Sequence, residues 1–408
     1  MADFRILTLD GGGSWALIEI MALMDLFGGA NVSGHDVLRR FDLVAANSGG
    51  SLVLGGLAAN MTLGDMRDLI ADPQKNKRAQ IFAPLSFFSD VTDRLARLLD
   101  IGAKYDTQKK FEALQMIVGA NGNRTMTSLP GWIGAGARNR QPQLVICAFD
   151  YDSNRARFFR SDAMSLSASF GQHADPKLVE AVHASANPPV NYFNNPAVFG
   201  GFRYWDGGIG GYNNPCLAAA VEAVTNAARY QTSIAEIKVL SLGTGSVVLP
   251  DVRVPALENP ALIVQREQRS LPGDVRKIAT SILDDPPDAA SFHTHILLGG
   301  RMPANNADVV SDGPIVRMSP LVQPVLNPAT GHWQLPAGLN EPTFKALAHL
   351  DVDAVKQEEV EIIRQFADAW LKDTVSNQPI RPNGDTFAVE IGHRLYSGAK
   401  AQAQAFGF

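Results

Sequence analysis

The chain has 408 residues, 46% hydrophobic and 19% charged, with a formal net charge of −5 and a pI near 5.9. This is the composition of a globular protein with room for a large core, and its acidic balance argues against nucleic acid as the main partner. Two cysteines do not make a disulfide framework, and no apolar run reaches the ~18 residues of a membrane-spanning helix.

MADFRILTLDGGG enters a strand at residues 4–9 without the basic and apolar segments of a signal peptide. The expectation is a cytoplasmic protein whose membrane contact is peripheral; export by a route that reads no classical signal stays open. Asp10 and three glycines follow the strand. Next comes SWALIEIMALMDLFGG, with only Glu19 and Asp25 charged, which predicts a buried helix. Ser14 is placed to cap it and Gly28–Gly29 to end it. Residues 41–46 read as a second strand, NSGG as a turn and SLVLGGLAA as a helix. Two strand–glycine–helix units in succession predict parallel α/β architecture.

Residues 61–140 are more charged and helical in pattern, with Leu95, Leu98 and Leu99 spaced for one face. They read as a helical insertion or cap. Within it, FAPLSFFSDV (82–91), with Phe87 and Phe88, is either a membrane-facing patch or a buried cover over the site. Strands are expected at 143–150 and 156–162, side by side, and at 237–245. An amphipathic helix is expected over 354–373, with Val360, Ile363, Phe366, Ala367 and Trp370 on its apolar face. The expected organisation is one domain over residues 1–375, with 376–408 as a tail packed on it. Cys147 and Cys216, in apolar or small-residue surroundings, read as buried free thiols.

Three stretches carry candidate chemistry. Ala46-Asn47-Ser48-Gly49-Gly50 has the small residues that a sharp strand-to-helix elbow needs to expose a serine, with alanine at the usual first glycine. An ordinary glycine–serine turn remains the alternative. Gly11, Gly12 and Gly13 precede a helix, where N–H groups and the helix dipole favour negative charge. They suit an oxyanion hole. The rival phosphate loop lacks both the Gly-Lys-Ser/Thr ending and the third glycine of a dinucleotide fingerprint. Asp206, in YWDGGIGGYNNP (204–215), is placed for partial burial, which raises a carboxyl pKa and makes a better base; an Asp-Gly turn is the alternative. None of the eight histidines, His35, His173, His183, His293, His295, His332, His349 and His393, has the context of a catalytic base or metal ligand.

DGGG, the serine elbow after it, the distal DGG, HASANPPVNYF (183–193), Asn213-Asn214-Pro215, VLSLGTG (239–245) and the strand pair at 145–162 occur in one order over residues 6–245. Together they resemble the patatin-like phospholipase family. The resemblance implies a three-layer α/β/α fold, with a central mostly parallel sheet and a helical insertion. It implies a Ser48–Asp206 dyad, Gly11, Gly12 and Gly13 as oxyanion donors, and no metal or cofactor. The implied activity is a lipid acyl hydrolase of phospholipase A or lysophospholipase type acting on lipid or phospholipid. Two departures stand out. Trp15 and Ala46 occupy positions where the family carries a cation and a glycine, which puts rate and substrate class in question. A catalytically weak lipid- or partner-binding protein and an acyltransferase on the same dyad are the alternatives.

Overall fold

The computed structural model describes residues 3–85, 103–162, 175–189, 192–252, 254–265, 286–304, 308–381 and 389–408. His173, Phe87, Phe88, Leu95, Leu98 and Leu99 lie outside the described residues. Among the described residues the strands are β1 (Phe4–Leu9), β2 (Leu43–Ala46), β3 (Gln143–Asp150), β4 (Arg155–Arg160), β5 (Ala197–Phe199), β6 (Phe202–Asp206), β7 (Ile237–Leu242), β8 (Ser246–Val247), β9 (Ile315–Met318), β10 (Leu321–Val322), β11 (Val325–Leu326) and β12 (Trp333–Gln334). Eight of them form one sheet in the order β5-β6-β3-β2-β1-β7-β9, with β4 also on β3. The run β3-β2-β1-β7-β9 is parallel, β4 and β6 pair antiparallel with β3, and β5 pairs antiparallel with β6. β8 and β10 pair outside the sheet.

The parallel strands are apolar at almost every position because both faces are covered. Alternate residues go to two separate cores. Leu7 and Leu9, Val44 and Ala46, Leu144 and Ile146, and Leu240 and Leu242 join helices Leu17–Phe27, Ser48–Ala58, Leu178–Ser185 and Gln357–Leu371. Phe4 and Ile6, Leu43 and Ala45, Val145, and Ile237 and Val239 face helix Cys216–Thr225 on the other side. The result is an α/β/α sandwich. Helix Gln357–Leu371 buries Val360, Ile363, Phe366, Ala367 and Trp370, the five residues its periodicity selects. The last helix, Tyr396–Ala405, is more than a surface appendage, since Tyr396, Ala399 and Ala403 enter the larger core. Cys147 and Cys216 are free and buried.

One topological feature positions the site. β2 occupies an edge of β3 as far as the Ala46–Ile146 pair, and β4 occupies the other edge. β6 takes the first edge where β2 stops, pairing Asp206 with Ala148. The end of β6 thus meets the end of β2, although 159 residues separate Asn47 from Asp206.

Candidate active site

Asn47 is extended after β2 (φ −133°), and Ser48 turns sharply to φ +47° as the helix Ser48–Ala58 begins. For an L-residue the left-handed region costs ~1–2 kcal/mol. Ala46 has no positive φ, so the position does not require glycine. Gly49 and Gly50 are required by close approach instead. A Cβ on Gly49 would lie 2.6 Å from the Gly13 nitrogen, and one on Gly50 would lie 2.6 Å from the Asp10 carbonyl oxygen. The Ser48 N–H donates to Ser185 Oγ (3.0 Å) and the Gly50 N–H to the Asp10 carbonyl (2.9 Å).

The glycine turn is held from both sides. The Gly11 N–H donates to the Asn213 carbonyl at 2.7 Å, and Thr244 Oγ1 donates to the Gly11 carbonyl at 2.7 Å. Among the described residues the Gly12 and Gly13 N–H groups have no acceptor, and both residues line the cavity that holds Ser48. Ser14 does not cap the following helix. That helix has Ala16 at its N-cap with no side-chain cap, while Ser14 Oγ donates to the Asp353 carbonyl at 2.9 Å. Gly28 ends the helix at φ 106°, as expected. Trp15 lines the cavity and donates through Nε1 to the Asp351 carbonyl at 3.3 Å.

Asp206 is 1% exposed. Its Oδ1 accepts from Asn47 Nδ2 at 3.0 Å and from the Gly208 N–H at 2.8 Å, and its own N–H donates to the Asn187 carbonyl at 3.1 Å. Oδ2 makes no regular hydrogen bond among the described residues. Burial pushes the carboxyl above the usual aspartate value. The Ser48 hydroxyl, the Gly208 N–H, the Asn47 amide and the charge of Lys110 oppose that shift. Behind the glycine turn, Asp10 is buried against Arg317 (Nη2–Oδ2, 2.6 Å), and Arg317 Nη1 donates to Ser241 Oγ at 2.9 Å. Burial raises Asp10 to about 6 even with this partner.

Ser48, Asp206 and the three glycines share one cavity of about 340 Å³. A second, apolar cavity of about 70 Å³ shares Gly13, Leu52, Ile81 and Phe82 with it and is also lined by Met61 and Met66. Among the described residues no histidine lines the main cavity. His35 and His295 bond backbone carbonyls instead, at 3.1 and 2.9 Å.

Residues 7–220, just over half of the chain, match the family described as patatin-like phospholipase. The chain belongs to the patatin-like phospholipase family. Among solved structures it is similar to VipD from Legionella pneumophila, at 10% identity and a TM-score of 0.34 over 99% of this chain and 74% of VipD. It is also similar to ExoU from Pseudomonas aeruginosa in complex with SpcU, at 15% identity and a TM-score of 0.24 over 45% of this chain and 38% of that one. A further ExoU structure gives 14% identity and the same TM-score over 45% of this chain and 40% of ExoU. No curated protein matches the chain.

In this patatin-like phospholipase chain the Asn-Asn-Pro turn has a mechanical role. Asn213 holds the glycine turn, and Asn214 Oδ1 accepts the Cys216 N–H at 2.9 Å to start the next helix. Sequence reading missed four side chains around the site: Asn47, Ser185, Lys110 and Arg317. Lys110 did leave a signal, a lysine at helical spacing from the apolar Ala113, Leu114 and Val118. Arg317 left none, since its strand is only four residues long.

Proposed function

We propose that this patatin-like chain hydrolyses carboxylic esters of lipids, phospholipids included, through Ser48 and Asp206. The observation that carries it is the joint presence of a strained serine elbow, a buried carboxylate and two N–H groups without acceptors among the described residues, all on one cavity. Ser48 Oγ attacks the ester carbonyl as Asp206 Oδ2 takes its proton. The Gly12 and Gly13 N–H groups bind the oxyanion, helped by the positive end of helix Ser48–Ala58. Gly11 contributes shape, because its N–H is already engaged and a Cβ there would come within 2.9 Å of Ser48 Cβ. Asp206 returns the proton to the leaving alcohol, giving an acyl-enzyme. It then takes a proton from water, whose oxygen attacks the acyl carbonyl, and passes that proton to Ser48 Oγ as the bond to the acyl group breaks, releasing the fatty acid with Ser48 and Asp206 restored. No step needs a metal or a cofactor. The second, apolar cavity at Leu52 and Phe82 supports an acyl chain as the group bound beside the serine.

Among the described residues no helix is long and apolar enough to cross a membrane. Access to lipid is proposed to be peripheral, through the 61–140 insertion. The direct test is fluorophosphonate labelling of wild type, Ser48→Ala and Ser14→Ala, with the adduct located by peptide mass spectrometry. An adduct on Ser48, absent only from Ser48→Ala, is expected. No adduct on folded wild type would overturn the hydrolase reading in favour of a lipid- or partner-binding role. Product analysis with an added acceptor alcohol separates hydrolysis from acyl transfer.

A further inference from the structure

Helix Thr107–Val118 packs Thr107, Lys110, Ala113, Leu114 and Val118 inward, so a lysine occupies a core position. Lys110 is 0% exposed. A buried ammonium is expensive unless each of its protons finds an acceptor. Here three acceptors surround Nζ: the His183 carbonyl at 3.1 Å, the Ala186 carbonyl at 2.7 Å and Asn187 Oδ1 at 2.6 Å. The face of the Phe193 ring lies 4.1 Å away. An ammonium has three donors and no acceptor, whereas a neutral amine would turn its lone pair toward one of these oxygens. Two of the acceptors are carbonyls at the C-terminal end of helix Leu178–Ser185, where the dipole favours a cation. The geometry therefore fits the charged form, although burial, opposed by the charge of Asp206, pushes Lys110 well below the usual lysine value.

The segment that Lys110 grips is the one behind the dyad. Ser185 Oγ accepts the Ser48 N–H, and the Asn187 carbonyl accepts the Asp206 N–H. We infer that Lys110 is a positioning residue for the dyad: its ammonium pins residues 183–187 against the backbone of Ser48 and Asp206, and its charge faces Asp206. The inference rests on the proposed roles of those two residues. Asp206, from β6, is the charged group that acts on Lys110, and Lys110 in turn favours the Asp206 carboxylate. Two other titratable groups face the pair. Burial pushes His183, on helix Leu178–Ser185, well below the usual histidine value and keeps it neutral. Burial raises Cys147, on β3, and keeps it a thiol. Neither adds a charge near neutral pH, and the three acceptors around Nζ are the geometric ground for taking Lys110 as an ammonium beside Asp206.

The test compares pH–rate profiles of wild type, Lys110→Met and Lys110→Arg on a soluble p-nitrophenyl ester, with a melting temperature for each. Lys110→Met is expected to lower kcat roughly tenfold or more with KM little changed. It is also expected to move the acid limb of kcat/KM upward by on the order of one pH unit. Lys110→Arg keeps the charge but not the fit, so it should lose rate while leaving the acid limb near that of wild type. A folded Lys110→Met with an unmoved limb overturns the inference, because a merely structural lysine predicts that result. Should Lys110→Met fail to fold, Lys110→Gln, which keeps a polar head among the three acceptors without the charge, reads the same quantity, and an unmoved limb again overturns the inference. Carbon-13 titration of the Asp206 carboxyl, assigned with Asp206→Asn, reads the shift without turnover. Inactive wild type would sink the hydrolase reading, while this titration in wild type and the Lys110 variant would still decide the role of Lys110.

Discussion

Ser48 combines two demands that a single residue seldom meets cheaply, a left-handed backbone and a hydroxyl aimed into a cavity. The strain gives a prediction at this scale. Ser48→Gly and Ser48→Ala should both lack esterase activity, but Ser48→Gly should be the more stable by about 1 kcal/mol, because only glycine relaxes φ +47°. Urea denaturation of the two variants checks this, and equal stability would mean that the elbow is unstrained. The buried carboxylates predict two pH effects. As the proposed base Asp206 works only when ionised, and burial raises it, so kcat/KM should fall on acidification with a midpoint above the usual aspartate value of about 4. Asp10 affects stability. Its folded value of about 6 exceeds its unfolded value of about 4, so the fold binds this proton more tightly than the unfolded chain does. The stabilisation from that proton is full below about pH 4 and is lost as the pH rises through about 6. Asp10→Asn should remove this slope in urea denaturation series run across that window.

Among the elements, the elbow and the glycine turn behave as one interlocked piece. A Cβ on Gly49 would meet backbone atoms of Gly13 at 2.6 and 2.8 Å, and backbone yields less readily than a side-chain tip. Gly49→Ala is therefore expected to keep the fold but cut kcat on the order of a hundredfold, since a displacement near 1 Å at the reacting groups has that effect. Steady-state kinetics with a circular dichroism control would test it, and near-wild-type kcat would show that the two turns move independently. Much at this scale was legible in the sequence. β1, β3 and the apolar face of Gln357–Leu371 follow from runs and periodicity that packing does not override. Ser14 was misread because a serine before a helix is a local cap signal, whereas its hydroxyl bonds a carbonyl 339 residues away. Spacing alone likewise could not show that Asn213 already engages one of the three glycine N–H groups.

The whole molecule closes around the site from parts remote in sequence. Arg317 pairs with Asp10, and the Asn377 side chain bonds the Arg317 carbonyl at 3.0 Å and the Trp370 indole at 3.2 Å. Arg317→Met leaves a buried carboxylate without its partner and should cost about 3–5 kcal/mol, read by urea denaturation. Ending the chain at residue 375 would remove Asn377, Ile380, Ile391 and Tyr396 from the interior. The shortened protein is expected to unfold or lose activity, and a stable, active 1–375 fragment would show that the tail is dispensable.

By itself the sequence determined the separate strands, the sharp turn at Ser48 and the glycine run before the first helix. Each of these is written within about ten residues, where backbone sterics leave few conformations. The tertiary structure alone decided which residues meet. Asp206 reaches the elbow because β6 docks on β3 where β2 ends. Lys110, Ser185 and Arg317 reach the site through contacts 73 to 307 residues apart in the chain. Such pairings are set by how whole elements pack, and no local pattern encodes that.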